Sequence, residues 1–522
     1  MKKIFALLLV VLLLLPVVAC QQNSPAPSDD QNSNAAQPGT AAPSALATGR
    51  DSVVIAVRSA TENFDPQNHL DLYSYITDVQ IYDALEYINF TTGEFELKLA
   101  ESIEISADAT KATVKLKEGV YFHNGEELKA SDVKFTYDRA MASPLYGSRV
   151  GMLKECNIID EYTVEIVCGY PYAPMDVFLG GVFIVNEKAV TQMGDAYGNS
   201  IENIVGTGAY KLVSWDKGQS VKLTRNDDYF GEKAHIKDIT IKCLTSTDTA
   251  TIALEKGDVD YIYESDMNQL QSLEANDKLA ITSGPMACVE MLSMNIDKAP
   301  FNDINIRKAV AHAISRDSIA IVAGLGDPFT HYLDSLSFGF AQDVTAPEKD
   351  IEKGKEYMAQ AGYPNGGLSI SFIAFEGQGS PDFAAVLQSD LAQIGIDMKI
   401  EIMEFNTGVD KLFAGDYELS SLALSNRYLD ADFFYQWYTS TASNNFFFFK
   451  NDEFDTLVTE GRSEIDPGKR EEIYHRAQEI LRDEVAYAPL YQFVTVSPHN
   501  KELHGVEIPT ILACEFRKLY WD

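Results

Sequence analysis

Between Lys349 and Ile402 the hydrophobic period changes several times, and this alternation restricts the fold more than any other feature of the chain. Lys349 to Ala361 reads as a helix closed by Gly362, after which Pro364 and Asn365-Gly366 prevent continuation and start a strand over Leu368 to Ala374. Phe383, Leu387, Leu391 and Ile394 then recur every three or four residues until Gly395. Beyond it Met398, Ile400 and Ile402 alternate with Lys399 and Glu401, the period of a strand. Such strand-turn-helix units, without any fixed-period repeat, predict a mixed α/β fold. Repeat folds are set aside.

The same grammar runs through the first half. A strand over Val53-Val54-Ile55-Ala56-Val57 leads to the turn Asn63-Phe64-Asp65-Pro66-Gln67, and a helix carrying Val79 and Tyr82 follows. Ala112 to Leu116 alternates as a strand with one wet face. Asn124-Gly125 supplies the positive φ of a hairpin turn, and Ser131 is placed to cap the next helix.

The first fifty residues have a different character. Lys2 and Lys3 precede an apolar run from Ile4 to Leu15, and Pro16-Val17-Val18-Ala19-Cys20 follows, so residues 1–19 are expected to be a secretory signal peptide. Small residues directly before Cys20 look like a bacterial lipobox, with Cys20 as the lipidated first residue of the mature chain. Residues 21–50 are rich in Ala, Ser, Pro, Gln and Asn, cannot offset their ordering entropy by burial, and read as a tether between anchor and globular body. The remaining length predicts two or three domains.

The whole chain has 42 basic and 77 acidic residues, and loss of Lys2 and Lys3 leaves 40 against 77, a balance of −37. A surface so acidic repels phosphate backbones, which argues against nucleic-acid binding. Besides Cys20, Cys156, Cys168, Cys243, Cys288 and Cys514 are odd in number and widely spaced, which is not a disulfide framework. Cys156 and Cys168 flank a predicted hairpin around Asp160-Glu161, and two unpaired buried thiols are the simpler reading.

Motifs for catalysis are missing. The chain has no GxSxG elbow and no P-loop, and Gly206-Thr207-Gly208 lacks the third glycine and the helix of a dinucleotide site. No two of its eight histidines are three or four apart, so no helical metal motif exists, and no cofactor is expected. An enzyme is therefore not the expected reading.

Leu99-Ala100-Glu101-Ser102, Val114 through Gly125, and Leu128 through Val133 with its "A-x-D-V" helix start follow one another in the first half. Gly206-Thr207-Gly208-Ala209-Tyr210 and Arg225-Asn226-Asp227-Asp228-Tyr229-Phe230 continue the series. After them come Pro300-Phe301, Ile306-Arg307-Lys308-Ala309, Ala313-Ile314-Ser315-Arg316, Ala361 through Gly366, and Gly395-Ile396. In this order the segments resemble the family 5 extracellular solute-binding proteins of ABC transporters, the group of dipeptide, oligopeptide and nickel-chelate binders, with Ala209 replacing the usual proline.

The resemblance implies a two-lobed binder with an extra subdomain in lobe one. Lobe one would comprise residues 51–88, 206–292 and 490–522, the inserted subdomain 89–205, and lobe two 293–489. Hinge crossings are expected at Cys288 to Asn295 and Pro489 to Val496. The implied partners are a peptide-like solute, the permease subunits of an importer, and the membrane through the lipid anchor, with a monomeric binder. The alternatives are a non-peptide solute such as a nickel chelate or oligosaccharide, and a surface enzyme or adhesin on the same fold.

The resemblance also places three segments at the cleft. Tyr73-Ser74-Tyr75 is expected in a loop facing the ligand, although its aromatics equally suit the lobe's own core. Glu290, near the first crossing, is either a ligand carboxylate or a solvated strand residue. In Arg427 through Phe433, Asp432 matches the aspartate that pairs with a peptide's α-ammonium in the family, while Leu429 and Phe433 replace the usual aromatic neighbours. Arg427 suits a ligand carboxylate or a salt bridge, and Trp437 follows as a candidate wall. Phe446-Phe447-Phe448-Phe449 reads as core of lobe two.

Overall fold

The structure is a computed structural model that describes residues 50–69, 71–88, 95–376, 379–442, 444–510 and 513–522. The signal segment 1–19, the lipidation candidate Cys20 and the tether as far as residue 49 lie outside the described residues.

Two long strands organise the chain. Leu279–Met294 and Ala488–Asn500 run antiparallel, paired from Leu279 opposite Asn500 to Leu292 opposite Ala488. On one side of this pair the sheet continues through Tyr261–Ile262, Ser52–Val57, Asp238–Cys243, Ser220–Arg225 and Tyr210–Asp216. On the other it continues through Leu419–Ser425, Leu368–Phe375 and Ile396–Met403. One sheet is thus shared by two lobes.

The ladder breaks where the lobes meet. Pairing is interrupted between Pro285 and Val289 and shifts again after Glu290. Pro285 has no N–H to give a ladder. Ala287, next in the gap, donates its N–H to the Thr510 carbonyl at 2.7 Å, and its own carbonyl accepts from Asn426 N–H at 2.7 Å. The break lies just before the expected crossing at Cys288 to Asn295. Val289, Met291, Leu490 and Tyr491 already pack in lobe two, so the boundaries sit a few residues from 292 and 489.

Separate cores fill the two lobes and the insertion. Lobe one packs Val53, Ile55, Tyr82, Tyr210, Leu223, Ile239, Phe516 and Trp521. Lobe two has a core around Phe301, Val310, Phe372 and Leu391, and an aromatic one around Tyr332, Tyr435, Phe446, Phe447, Phe449 and Tyr487. The subdomain covers the four-stranded sheet of Ala100–Ile105, Lys111–Leu116, Thr163–Cys168 and Leu153–Asp160 with the helix Ala130–Ala142. Its apolar core ends at Ile184, whereas Val185, Ala189, Val190, Tyr197 and Ile204 pack in lobe one. The stretch 185–204, expected within the insertion, thus belongs by packing to lobe one.

Local differences have plain causes. Tyr73, Ser74 and Tyr75 lie in the first turn of the helix Leu72–Ile81 rather than in a loop, because Asp71 caps it by accepting from Ser74 N–H at 2.8 Å. The helix expected to be capped by Ser131 begins at Ala130, and the Asp132 carboxylate binds back to Lys129 N–H at 3.1 Å. Cys156, Cys168, Cys243, Cys288 and Cys514 are all free thiols.

The Gly206-Thr207-Gly208 stretch, unfit for a dinucleotide, closes the end of the helix Leu72–Ile81. Gly208 N–H donates to the Ile81 carbonyl at 2.8 Å, and the Thr207 hydroxyl donates to Asp83 at 2.8 Å. A Cβ on Gly206 would lie 2.0 Å from the Ile81 carbonyl oxygen. Gly206→Ala is therefore expected to lower stability by about 1–3 kcal/mol, seen as a lower urea midpoint with unchanged m-value.

Candidate functional site

Where the lobes face each other, a cleft is walled from three directions. Lobe one contributes Tyr75, Val79, Asp83 and Glu86, the subdomain Tyr146, Arg149, Val177, Gly181 and Phe183, and lobe two Arg427 and Tyr428. A second recess shares Arg149, Val177 and Tyr428 with the first and extends to Tyr170, Tyr172, Asp430, Asp432, Phe433, Gln436 and Arg462. The two recesses adjoin, and their walls combine aromatic and apolar side chains with charged groups of both signs, as suits a small-molecule site.

A tight turn after the strand Leu419–Ser425 projects Arg427 and Tyr428 across the gap. The Asn426 amide holds its base, donating to Ser337 Oγ at 2.7 Å and to the Asp430 carbonyl at 3.0 Å. Leu429 takes a left-handed φ of 50° to complete the turn, which the family's usual aromatic at this place had not suggested. Tyr428 packs against Gly181, where an added Cβ would come within 2.4 Å of its ring. The guanidinium of Arg427 stands 5.6 Å from the centre of the Tyr75 ring, which itself lies 5.4 Å from Phe183.

Other contacts hold the lobes together beside the second recess. Ala173 N–H donates to the Arg462 carbonyl at 2.8 Å, and Ser463 Oγ donates to the Pro171 carbonyl at 3.3 Å. The Arg462 guanidinium lies 5.9 Å from the Tyr170 ring centre.

Electrostatics divide the trough. Burial lowers the pKa of Arg427, and the charge of the nearby Arg149 lowers it further. Asp432 is buried, which pushes it up to about 6 against the opposing charge of Arg462. Arg462 Nε donates to Asp432 Oδ1 at 2.9 Å. Asp430 accepts two hydrogen bonds at 2.6 Å from Arg470, a bidentate pair, while its Oδ1 caps the helix Ala431–Tyr435.

The predicted residues separate into groups. Arg427 and Tyr75 meet in the first recess, and Asp432 lines the second. Asp432 already holds a resident cation, so a ligand ammonium reaching it has to displace Arg462. Tyr73 turns the other way, donating its hydroxyl to Glu264 and packing on the lobe-one core. Ser74 is fully buried, and its hydroxyl accepts from the N–H groups of Glu62 and Asn63. Trp437 packs against the aromatic core of lobe two, and its neighbour Gln436 takes the place at the recess. Glu290 is buried in the shared sheet opposite Ala423 and Tyr491, neither a wall of the two recesses nor solvated. Residue patterns gave no sign of Glu86, Arg149 or Arg462, because convergence and not spacing makes them neighbours.

A deep cleft between two lobes that share a two-stranded crossing defines a two-lobed binding protein. Residues 94–446 match the model of the bacterial extracellular solute-binding proteins, family 5, and the chain belongs to that family. The glutathione-binding protein GsiB of Escherichia coli O1:K1 is 26% identical over 497 residues, covering 89% of this chain and 94% of its own. A probable D,D-dipeptide-binding periplasmic protein, DdpA of Escherichia coli K12, is 26% identical over 478 residues, covering 88% and 92%. The solved structure of the periplasmic binding protein DppA from Helicobacter pylori with the peptide STSA superposes with a TM-score of 0.79 at 27% identity, covering 90% and 98%. Among the described residues no helix is long and apolar enough to cross a membrane, and no cluster of side chains suits a metal ion.

The buried carboxyls make stability depend on pH. Burial first, and then Asp176, pushes Glu86 up to about 8; burial takes Glu290 to about 7 and Asp334 to about 6. Burial acts to lower His69, but its hydrogen bond and charge pairing with Asp78 leave it raised. Each group binds its proton more tightly when folded, so stability falls as pH rises from the ordinary carboxyl range through these values. The urea midpoint is expected to be lower at about pH 8.5 than at about pH 5.5.

Proposed function

We propose that this protein is the substrate-binding component of an ABC importer, capturing a short peptide-like solute between its lobes and delivering it to the permease. The observation that carries this reading is the pair Arg149 and Arg427, set from opposite lobes into one aromatic-walled cleft. The charge of Arg149 disfavours the charged form of Arg427, and an anionic ligand group placed between the two guanidinium groups interacts favourably with both. A ligand carboxylate is the proposed occupant, with Tyr75, Phe183 and Tyr428 covering the apolar part of the solute.

Because Arg149 and Arg427 belong to different lobes, a ligand that touches both favours the closed arrangement by its differential affinity for it. The bulged crossing between Pro285 and Val289 is the proposed hinge. The names of the relatives, a glutathione-binding protein, a "probable D,D-dipeptide-binding" protein and a binding protein in complex with the peptide STSA, support peptide-like chemistry. We further propose that the mature protein is a monomer, lipid-anchored through Cys20 on the outer side of the cell membrane, and that it carries out no catalysis.

A thermal-shift screen against pooled short peptides, oligosaccharides and nickel chelates tests the ligand class. Peptides are expected to raise the melting temperature, and a shift with sugars or chelates alone overturns the peptide reading. Arg427→Met is expected to abolish most of the ligand-induced shift, each protein being compared with its own unliganded melting temperature.

A further inference from the structure

Five carboxylates line the two recesses, namely Asp83, Glu86, Asp430, Asp432 and Glu515. Four of them have partners. Asp83 accepts from the Thr207 hydroxyl at 2.8 Å and from the Tyr229 hydroxyl at 3.0 Å. Glu515 accepts from Lys98 at 2.7 Å and from Arg517 at 2.9 Å. Asp430 is held by Arg470, and Asp432 by Arg462. Glu86 is the exception. It is only 4% exposed, and its Oε1 is buried without any hydrogen-bond partner.

A buried carboxylate oxygen with nothing to accept from costs its whole desolvation, roughly 1–3 kcal/mol or more for a charged group. Orphaned groups of this kind are rare in native proteins unless a function uses them. The surroundings of Glu86 do not lower that cost. The strand Glu86–Ile88 brings it to the cleft floor, where the Asp176 carboxylate on the helix Met175–Leu179 adds a like charge. On the helix Ala130–Ala142, Tyr137 stands within the field of Glu86, and its buried hydroxyl is also unpartnered. The cationic groups of the cleft are directed elsewhere: Lys98 to Glu515, and Arg427 toward Tyr75. Two carboxyl groups that burial shifts toward their protonated forms, and a phenol, thus gather beside one end of the first recess, while Arg149 and Arg427 line another part of it.

We propose that Glu86 is the residue that receives the cationic end of the ligand, a primary ammonium, with Tyr137 as an auxiliary acceptor and the Asp176 carboxyl beside it. This assignment rests on the reading of the first recess as the ligand site, and it moves the ammonium subsite away from Asp432. The ligand is then a zwitterion, its carboxylate toward Arg149 and Arg427 and its ammonium toward Glu86. Glu86 is pushed up to about 8 in the empty protein, so receiving an ammonium at neutral pH releases a proton from it.

Two probes on the full-length protein separate this proposal from the peptide reading. The first is n-butylammonium chloride, compared with equal sodium chloride; the second is a pool of tripeptides with free N-termini, compared with the same pool N-acetylated. Glu86→Gln, close in shape to the protonated acid, is the main variant, and Glu86→Met is the second, with circular dichroism to confirm that each is folded. Butylammonium is expected to raise the melting temperature of the wild type and of neither variant. If peptides bind, Glu86→Gln is expected to weaken the free pool by about 10- to 100-fold and to leave the acetylated pool unchanged. A butylammonium response that is absent from the wild type, or equal in the variants, overturns the assignment. Failure of every peptide, with the butylammonium response lost in the variants, overturns the peptide reading and leaves the ammonium subsite standing.

Discussion

The antiparallel pairing of Leu279–Met294 with Ala488–Asn500 is the contact on which the rest of the molecule depends. Each strand is long enough to take part in both lobes, so a single hydrogen-bonded ladder sets how the two cores face each other. Its interruption at Pro285 gives the only local departure along that pair before Glu290. A proline cannot donate to a ladder, and the neighbouring Ala287 is bonded instead to Thr510 and to Asn426. Asn426 is also the base of the turn that carries Arg427 and Tyr428. The crossing strand and the cleft wall are thereby tied through one side chain and its backbone.

An acidic chain has built a cleft in which its few buried cations have been distributed with care. Arg462 and Arg470 neutralise Asp432 and Asp430, and Lys98 and Arg517 neutralise Glu515. Breaking such a pair would leave an uncompensated buried charge, which is strongly unfavourable, so these arginines hold the walls in place. Arg149 and Arg427 enter one recess from opposite lobes, and the charge of Arg149 lowers the pKa of Arg427 beyond the effect of burial. Burial also keeps a proton on the Glu86 carboxyl up to about pH 8.

Much of the fold was legible because its signals are local. The helix expected to end at Gly362 is found over Ile351–Gln360, and the glycine takes a φ of 92°. The strand after it and the strand after Gly395 also stand where the hydrophobic period places them. Errors arose where a contact distant in sequence overrides the local pattern. Asp132 is drawn back onto Lys129 and also accepts from Glu187 N–H at 3.0 Å, which moves the helix start off Ser131. Residues 185–204 pack in lobe one, where Tyr197 and Ile204 are buried with strands distant from them in the sequence.

For the site, the balance is different. The sequence by itself determined the mixed α/β class, the family pattern, the acidity of the surface and the presence of Arg427, Tyr75 and Asp432 in segments that reach the cleft. Each of these is a property of composition or of neighbours in the chain. Only the tertiary structure decided that Tyr73, Ser74 and Trp437 face the protein's own packing, that Arg462, thirty residues from Asp432, already occupies it, and that Glu86 is left without a partner. The reason is that a side chain's charge state and availability depend on what surrounds it in space, and burial and pairing are set by contacts that no period in the sequence encodes.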